Sequence, residues 1–121
     1  IKLIQITGAG FDRLNVIELR ALGIPVANIP GGSASAISEY VLTVTLNLLS
    51  NLSYSTSRIL QGEYSSLRRE LISKGINQLS GLTIGIIGYG IIGKTLKRTF
   101  EFFEAKINFY DPSVEGGLEL H

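Results

Sequence analysis

The chain has 121 residues, of which 45% are hydrophobic and 17% charged, and its formal net charge is +1. This balance is typical of a soluble globular protein, and the scattered basic residues form no stripe that would attract nucleic acid. The lack of cysteine excludes a disulfide framework and a thiolate metal site, and it fits a cytoplasmic protein. Polar side chains interrupt the most apolar stretch, residues 37–52, so we expect a buried helix there. We therefore expect no metal, nucleic-acid or membrane partner.

The first thirty residues predict a strand–helix–strand unit. Residues 1–6 form a β-branched run that stops at a Gly8-Ala9-Gly10 loop, and residues 24–29 predict a second strand. Between them, Asn15 predicts a helix N-cap, with Glu18 three residues later as in a capping box. The short crossover implies that the two strands are parallel.

The middle of the chain predicts a joint followed by helices. The segment from Pro30 to Ser33 breaks the preceding pattern and suggests a hinge, and Ser33 or Ser35 predicts the cap of a long helix. Apolar stripes on two sides of that helix indicate that it packs on two sides, between domains or subunits. Helical character is expected to continue beyond it, to break at Gly62 and to end in a short polar helix over residues 67–74.

A second strand–helix–strand unit surrounds a glycine-rich turn. Residues 82–87 predict a continuous apolar strand, residues 107–110 predict the next one, and an amphipathic helix lies between them. Gly88, Gly90 and Gly93 match the dinucleotide fingerprint G-x-G-x-x-G. In that fingerprint the glycines allow a tight turn, close approach of a pyrophosphate and close packing of helix on strand, and the helix N-terminus holds the phosphates.

An acidic residue supports this interpretation. Asp111 ends the second strand, 21 positions after Gly90, where the fingerprint needs a carboxylate for the adenosine ribose. A carboxylate there accepts hydrogen bonds from hydroxyls and repels a 2′-phosphate, so Asp111 favours NAD over NADP. The alternative is that Asp111 is an ordinary strand-end residue before Pro112, and that the turn binds nothing.

The same turn also matches a second motif. The segment from Gly88 to Thr95 fits the Walker A pattern G-x-x-x-x-G-K-[ST], in which Lys94 would reach phosphates and Thr95 would bind Mg²⁺. We favour the dinucleotide interpretation because Ile91 and Ile92 are bulky where a phosphate-wrapping loop needs small or polar residues. A P-loop nucleotide-binding protein remains the alternative.

Five segments in the same order resemble the D-isomer-specific 2-hydroxyacid dehydrogenases, a family that includes phosphoglycerate, D-lactate and glyoxylate/hydroxypyruvate enzymes. These segments are residues 1–12, 23–31, 36–42, 62–64 and 79–88. The resemblance implies an α/β fold in which the end of a flavodoxin-like substrate domain is joined by a long helix to the first βαβ unit of a Rossmann NAD-binding domain.

The resemblance also implies domain limits. Residues 1–30 would end the substrate-binding domain, residues 31–78 would form the hinge and interdomain helices, and residues 79–121 would begin the Rossmann domain. Because the chain starts directly in a core strand and ends after another, we expect an internal fragment of a longer protein.

The resemblance assigns roles to particular residues. The loop backbone of Gly8, Ala9 and Gly10 would bind the substrate carboxylate, with Ala9 also beside the nicotinamide. The implied cofactor-binding residues are Ala9, Gly88, Tyr89, Gly90, Ile91, Ile92, Gly93 and Asp111. The catalytic Arg, Glu and His of the family would lie beyond residue 121, and His121 is interpreted as a terminal residue.

The implied function is NAD-dependent interconversion of a D-2-hydroxy acid and its 2-keto acid by hydride transfer. The whole enzyme would be a cytoplasmic homodimer, and this chain alone would be inactive. Besides the P-loop protein, a non-catalytic NAD-sensing relative is an alternative, which the downstream Arg, Glu and His would distinguish.

Overall fold

A computed structural model describes residues 1–117. It contains two pairs of parallel strands, and in each pair a helix connects the two strands. Three further helices lie between the two pairs in the sequence. The elements are β1 (Ile4–Gln5), α1 (Val16–Ala21), β2 (Val26–Ala27), α2 (Ala34–Leu49), α3 (Leu52–Leu60), α4 (Tyr64–Lys74), β3 (Thr83–Ile87), α5 (Ile91–Phe102) and β4 (Lys106–Tyr110). Across this part of the chain, no helix has the length and apolar character that a membrane crossing requires.

The first unit confirms the predicted cap and the parallel pairing. The side-chain oxygen of Asn15 accepts a hydrogen bond from the N–H of Glu18 at 3.2 Å, and its amide donates to the Glu18 carboxylate at 3.1 Å. The ladder joins Ile4 to Val26 and Gln5 to Ala27. Both strands are shorter than predicted, because each of them has only one short neighbour among the described residues to pair with.

The long helix ends earlier than the apolar pattern suggested. α2 stops at Leu49, and Asn51 adopts a left-handed conformation with φ of 53°, so α3 is a separate helix and not a continuation of α2. The side chain of Asn47 stabilises this corner by accepting the N–H of Ser53 at 2.9 Å. The break at Gly62 is confirmed, and α4 begins at Tyr64, three residues before the predicted start. Ser33 occupies the N-cap of α2 without a side-chain capping bond.

The core lies between α2, α5 and the second strand pair. Leu79, Phe100 and Ala105 are its buried centre. Partly buried apolar residues from α2, α5 and both strands pack around them: Val41, Leu42, Leu49, Ile84, Leu96 and Ile107. One side of α2 is therefore covered within the chain. Its other apolar side is open, since Tyr40 and Leu48 are 70% and 73% exposed.

The exposed area is large for the mass. The chain exposes 9267 Å², whereas a compact protein of 13.1 kDa exposes about 6400 Å². The difference includes the open face of α2 and other exposed apolar side chains such as Phe102 and Ile87. These surfaces are suited to further contacts.

Gly93 sets how closely α5 packs against β3. A Cβ atom at this position would lie 2.2 Å from the carbonyl oxygen of Gly88 and 3.4 Å from the side chain of Ile86. The first of these distances is much shorter than a van der Waals contact. The Gly88 carbonyl belongs to the backbone, so it cannot move aside by a change of side-chain rotamer. The predicted role of this glycine in helix–strand packing is therefore confirmed.

Substitution of this glycine should destabilise the fold. Gly93→Ala is expected to lower the free energy of unfolding by about 1–3 kcal/mol or more, because α5 must move away from the turn. Urea unfolding followed by circular dichroism measures the change. Gly85→Ala is the matched control, since a Cβ there meets no atom within 4 Å and should change stability by less than about 0.5 kcal/mol. Equal losses for both variants would contradict this account of the packing.

Candidate functional site

The glycine turn joins the end of β3 to the start of α5. Gly88 adopts φ of 92°, a conformation that side chains disfavour, and its N–H donates to the carbonyl of Tyr110 at 2.8 Å. Gly90 is the N-cap of α5, and no atom lies within 4 Å of the position that its Cβ would occupy. The turn is thus tied to β4 on one side and open at Gly90 on the other.

This open side has the chemistry of an anion site. The first N–H groups of α5 have no acceptor within their own helix, and the helix dipole places partial positive charge at this end. The space beside Gly90 admits a ligand to the backbone. A pyrophosphate needs donors of this kind and unhindered approach, so the residues present fit the phosphates of a dinucleotide.

Asp111 holds the turn from β4. One carboxylate oxygen accepts the N–H of Tyr89 at 2.6 Å, and the other accepts the N–H of Ser113 at 2.8 Å. The bond from Ser113 lowers the pKa of Asp111 most, the bond from Tyr89 adds to it, and the charge of Lys94 contributes further. The carboxylate is therefore an anion with a fixed orientation at neutral pH. The motif predicted an acceptor at this position but not its bonds to the turn.

Tyr89 is held on both its backbone and its ring. Its ring stacks on Phe109 with centroids 3.8 Å apart and planes at 13°. Lys94 lies over the Tyr89 ring, with its Nζ 6.0 Å from the centroid. Tyr89 and Asp111 therefore lie together on the β4 side of the turn.

The loop before the first helix meets the glycine turn in one groove of about 320 Å³. Its lining residues are Ala9, Pro30, Gly31, Ser33, Gly88, Gly90, Ile91, Ile92 and Gly93. The fold thus brings Ala9 together with five of the predicted cofactor residues, although about 80 residues separate them in the sequence. Since Ser33 and Gly90 are the N-caps of α2 and α5, two helix N-termini meet at this groove.

The loop itself is held by its carbonyl groups. The amide of Asn28 donates to the carbonyl of Ala9 at 2.7 Å, and the N–H of Ile29 donates to the carbonyl of Gly8 at 3.0 Å. Within residues 1–117, the N–H groups of Gly8, Ala9 and Gly10 have no acceptor and the loop is exposed. Gly10 lines a neighbouring groove next to Asp12 and not the one that contains Ala9.

Sequence reasoning missed several residues around the groove. Pro30, Gly31 and Ser33 line it, although the pattern indicated only a hinge and a helix cap there. Asn28 supports the Ala9 loop directly after β2, although it was predicted to lie within that strand. The expected Arg, Glu and His would lie outside the chain, and His121 lies outside the described residues.

The Walker A alternative finds no support in these contacts. The ammonium of Lys94 lies over the Tyr89 ring, 6.0 Å from its centre. The hydroxyl of Thr95 donates to the carbonyl of Ile91 at 2.9 Å within its own helix. The carboxylate that follows the next strand, Asp111, accepts hydrogen bonds from the backbone N–H groups of Tyr89 and Ser113. A metal-binding threonine would need its hydroxyl turned away from its own helix.

The bonds of Asp111 predict an acid titration. The pKa of Asp111 is lowered in the folded chain. The stabilisation of the fold by its two hydrogen bonds is therefore present above the pKa of the unfolded chain, and it is lost as the pH falls through the pKa of the folded chain. In ¹H–¹⁵N spectra, the amide signals of Tyr89 and Ser113 should shift together with a midpoint below the ordinary value for aspartate. Asp111→Asn should remove this transition from both signals. A midpoint at or above the ordinary value would contradict the assigned bonds.

Comparisons with known proteins agree with this geometry. The profile of the family described as "D-isomer specific 2-hydroxyacid dehydrogenase, NAD binding domain" matches residues 42–119. The chain is 34% identical over 112 residues to a D-2-hydroxyacid dehydrogenase (NAD+) of Lacticaseibacillus paracasei, covering 93% of this chain and 32% of that protein. The chain therefore spans about a third of the length of this relative.

Solved structures give the same result. D-2-hydroxyisocaproate dehydrogenase superposes with a TM-score of 0.80 and 31% identity, covering 98% of this chain and 35% of that one. D-lactate dehydrogenase from Aquifex aeolicus, complexed with NAD and lactic acid, superposes with a TM-score of 0.74 and 26% identity, covering 96% and 34%.

Proposed function

Because the chain belongs to the D-isomer specific 2-hydroxyacid dehydrogenase family, whose NAD binding domain matches residues 42–119, we propose that it contributes to the cofactor site of an NAD-dependent oxidoreductase. The reaction is the interconversion of a D-2-hydroxy acid and its 2-keto acid. The observation that carries this proposal is the groove in which the Ala9 loop meets the glycine turn. One loop offers N–H groups to a small anion, and the other offers a helix N-terminus to phosphates.

The described residues suggest how NAD(H) is held. Gly90, Ile91 and Ile92 would hold the pyrophosphate, and Asp111 would accept hydrogen bonds from the hydroxyls of the adenosine ribose. Each carboxylate oxygen of Asp111 has a lone pair left after its bond to the backbone. Ala9 would contact the nicotinamide end, and NAD(H) would supply or accept the hydride when bound.

The substrate is a small 2-keto or 2-hydroxy acid. Its carboxylate binds the N–H groups of Gly8, Ala9 and Gly10, which are exposed and have no acceptor within residues 1–117. Backbone donors suit this task, because the loop is already held by Asn28 and Ile29 and loses little freedom on binding.

The domain limits and the incompleteness of the chain are also proposals. Residues 1–30 end the substrate-binding domain, residues 31–78 form the hinge and interdomain helices, and residues 79–121 begin the Rossmann domain. The relatives are about three times as long as the matched region. The catalytic Arg, Glu and His lie in the remainder of such a protein, and this chain alone does not turn over NADH.

A titration of NADH into the dehydrogenase that carries this chain, followed by nicotinamide fluorescence, tests the cofactor site. We expect binding that Mg-ATP does not displace. Gly90→Val should weaken NADH binding by at least about tenfold, or about 1.4 kcal/mol, because its side chain occupies the space beside the phosphates. Among the described residues no atom lies within 4 Å of the Cβ that this variant adds, so its thermal unfolding midpoint should stay near that of the unmodified protein. Displacement of NADH by Mg-ATP, or unchanged affinity in Gly90→Val, would refute the site.

We also propose that the protein is a homodimer in which the open side of α2 is buried. Tyr40, Val44 and Leu48 lie one helical turn apart along this side and are exposed. Leu48→Asp should shift sedimentation toward the monomer, because a charge buried in an apolar interface is costly. Ser35→Asp, on the opposite side of α2, is the control and should leave the dimer intact. If the unmodified dehydrogenase that carries this chain sediments as a monomer at all concentrations, this interface is excluded.

A further inference from the structure

Lys94 is a cation beside the ribose end of the proposed site. It follows Gly93 on the first turn of α5, and it is exposed. Within residues 1–117 it forms no ion pair, whereas Lys97 on the next turn pairs with Glu101 at 3.4 Å. The ammonium of Lys94 lies 6.0 Å from the centre of the Tyr89 ring.

Tyr89 connects this cation to Asp111. The Tyr89 ring is fixed by its stack on Phe109, and its N–H is bound by the Asp111 carboxylate at 2.6 Å. Lys94 therefore lies on the β4 side of the turn, where Asp111 is. Its charge is among the influences that lower the pKa of Asp111, after the backbone bonds from Ser113 and Tyr89, so the two charges act on each other.

The two charges have opposite effects on a 2′-phosphate. The Asp111 carboxylate repels it and cannot turn away without losing the N–H bonds of Tyr89 and Ser113. An ammonium attracts it, and NADP sites need a cation near the ribose. The flexible stem of Lys94 allows its ammonium to move toward such a phosphate, because no ion pair with the described residues holds it elsewhere.

We propose that Lys94 is a second cofactor-selectivity residue, whose ammonium is a latent ligand for the 2′-phosphate of NADPH that the Asp111 carboxylate masks. The proposal rests on the proposed function, since it concerns the adenosine end of the same site. In the native chain the two charges largely offset each other, and NADPH binds weakly. When the carboxylate is neutralised, Lys94 supplies the attraction that NADPH needs.

Calorimetric titrations of NADH and NADPH into the parent dehydrogenase and its variants test the proposal. Lys94→Gln should weaken NADPH binding by about threefold to tenfold, the effect of one nearby charge in water, while NADH binding changes less than about twofold. Lys97→Gln is the control, because it also removes one positive charge but one helical turn away. It should leave the ratio of the NADH and NADPH affinities unchanged. Asp111→Asn should strengthen NADPH binding by about tenfold, and adding Lys94→Gln should remove most of that gain.

The outcomes separate this proposal from the one it rests on. Equal effects of Lys94→Gln and Lys97→Gln on NADPH would mean that only the overall charge matters, and would overturn the role of Lys94. That role is also overturned if NADH binds normally and Lys94→Gln leaves NADPH binding unchanged. These single variants decide the question even if Asp111→Asn does not fold. A parent that binds neither NADH nor NADPH would overturn the proposed function together with this inference.

Discussion

The close approach of Gly93 to the carbonyl of Gly88 determines where α5 lies, and the rest of the candidate site depends on that helix. With no side chain between them, the first turn of α5 packs directly against the end of β3. This contact directs the helix N-terminus toward the open space beside Gly90. It also places Phe100, two turns later, in the buried core.

The packing of α2 against α5 explains how two distant loops share a groove. Val41 and Leu42 of α2 pack on the core that contains Phe100. The segment of residues 30–33 that precedes α2 therefore lies beside the glycine turn that precedes α5, and the N-caps Ser33 and Gly90 line the same groove. The partial positive charges of two helix ends then act on one small volume, which favours an anionic ligand.

Asp111 has two physical roles that its motif does not separate. It offers acceptor oxygens at the end of β4, and it also holds the turn through Tyr89 and the following loop through Ser113. Replacing it to change cofactor preference would therefore also loosen the turn. The side chain of Lys94 forms no ion pair among the described residues. The Asp111 carboxylate is therefore fixed by hydrogen bonds and the Lys94 ammonium is not, although both lie on the same side of the site.

The sequence by itself determined the local elements: the Asn15 cap, the glycine turn and the strand that ends at Asp111. Each of these depends on the conformational preferences of residues close together in the chain, which the residue types and their spacing express directly. The tertiary structure alone decided that Ala9 joins the groove and that the long helix stops before Asn51. It also decided which side of α2 is covered. These features depend on which surfaces meet, and side-chain packing between distant segments has no signature in local periodicity.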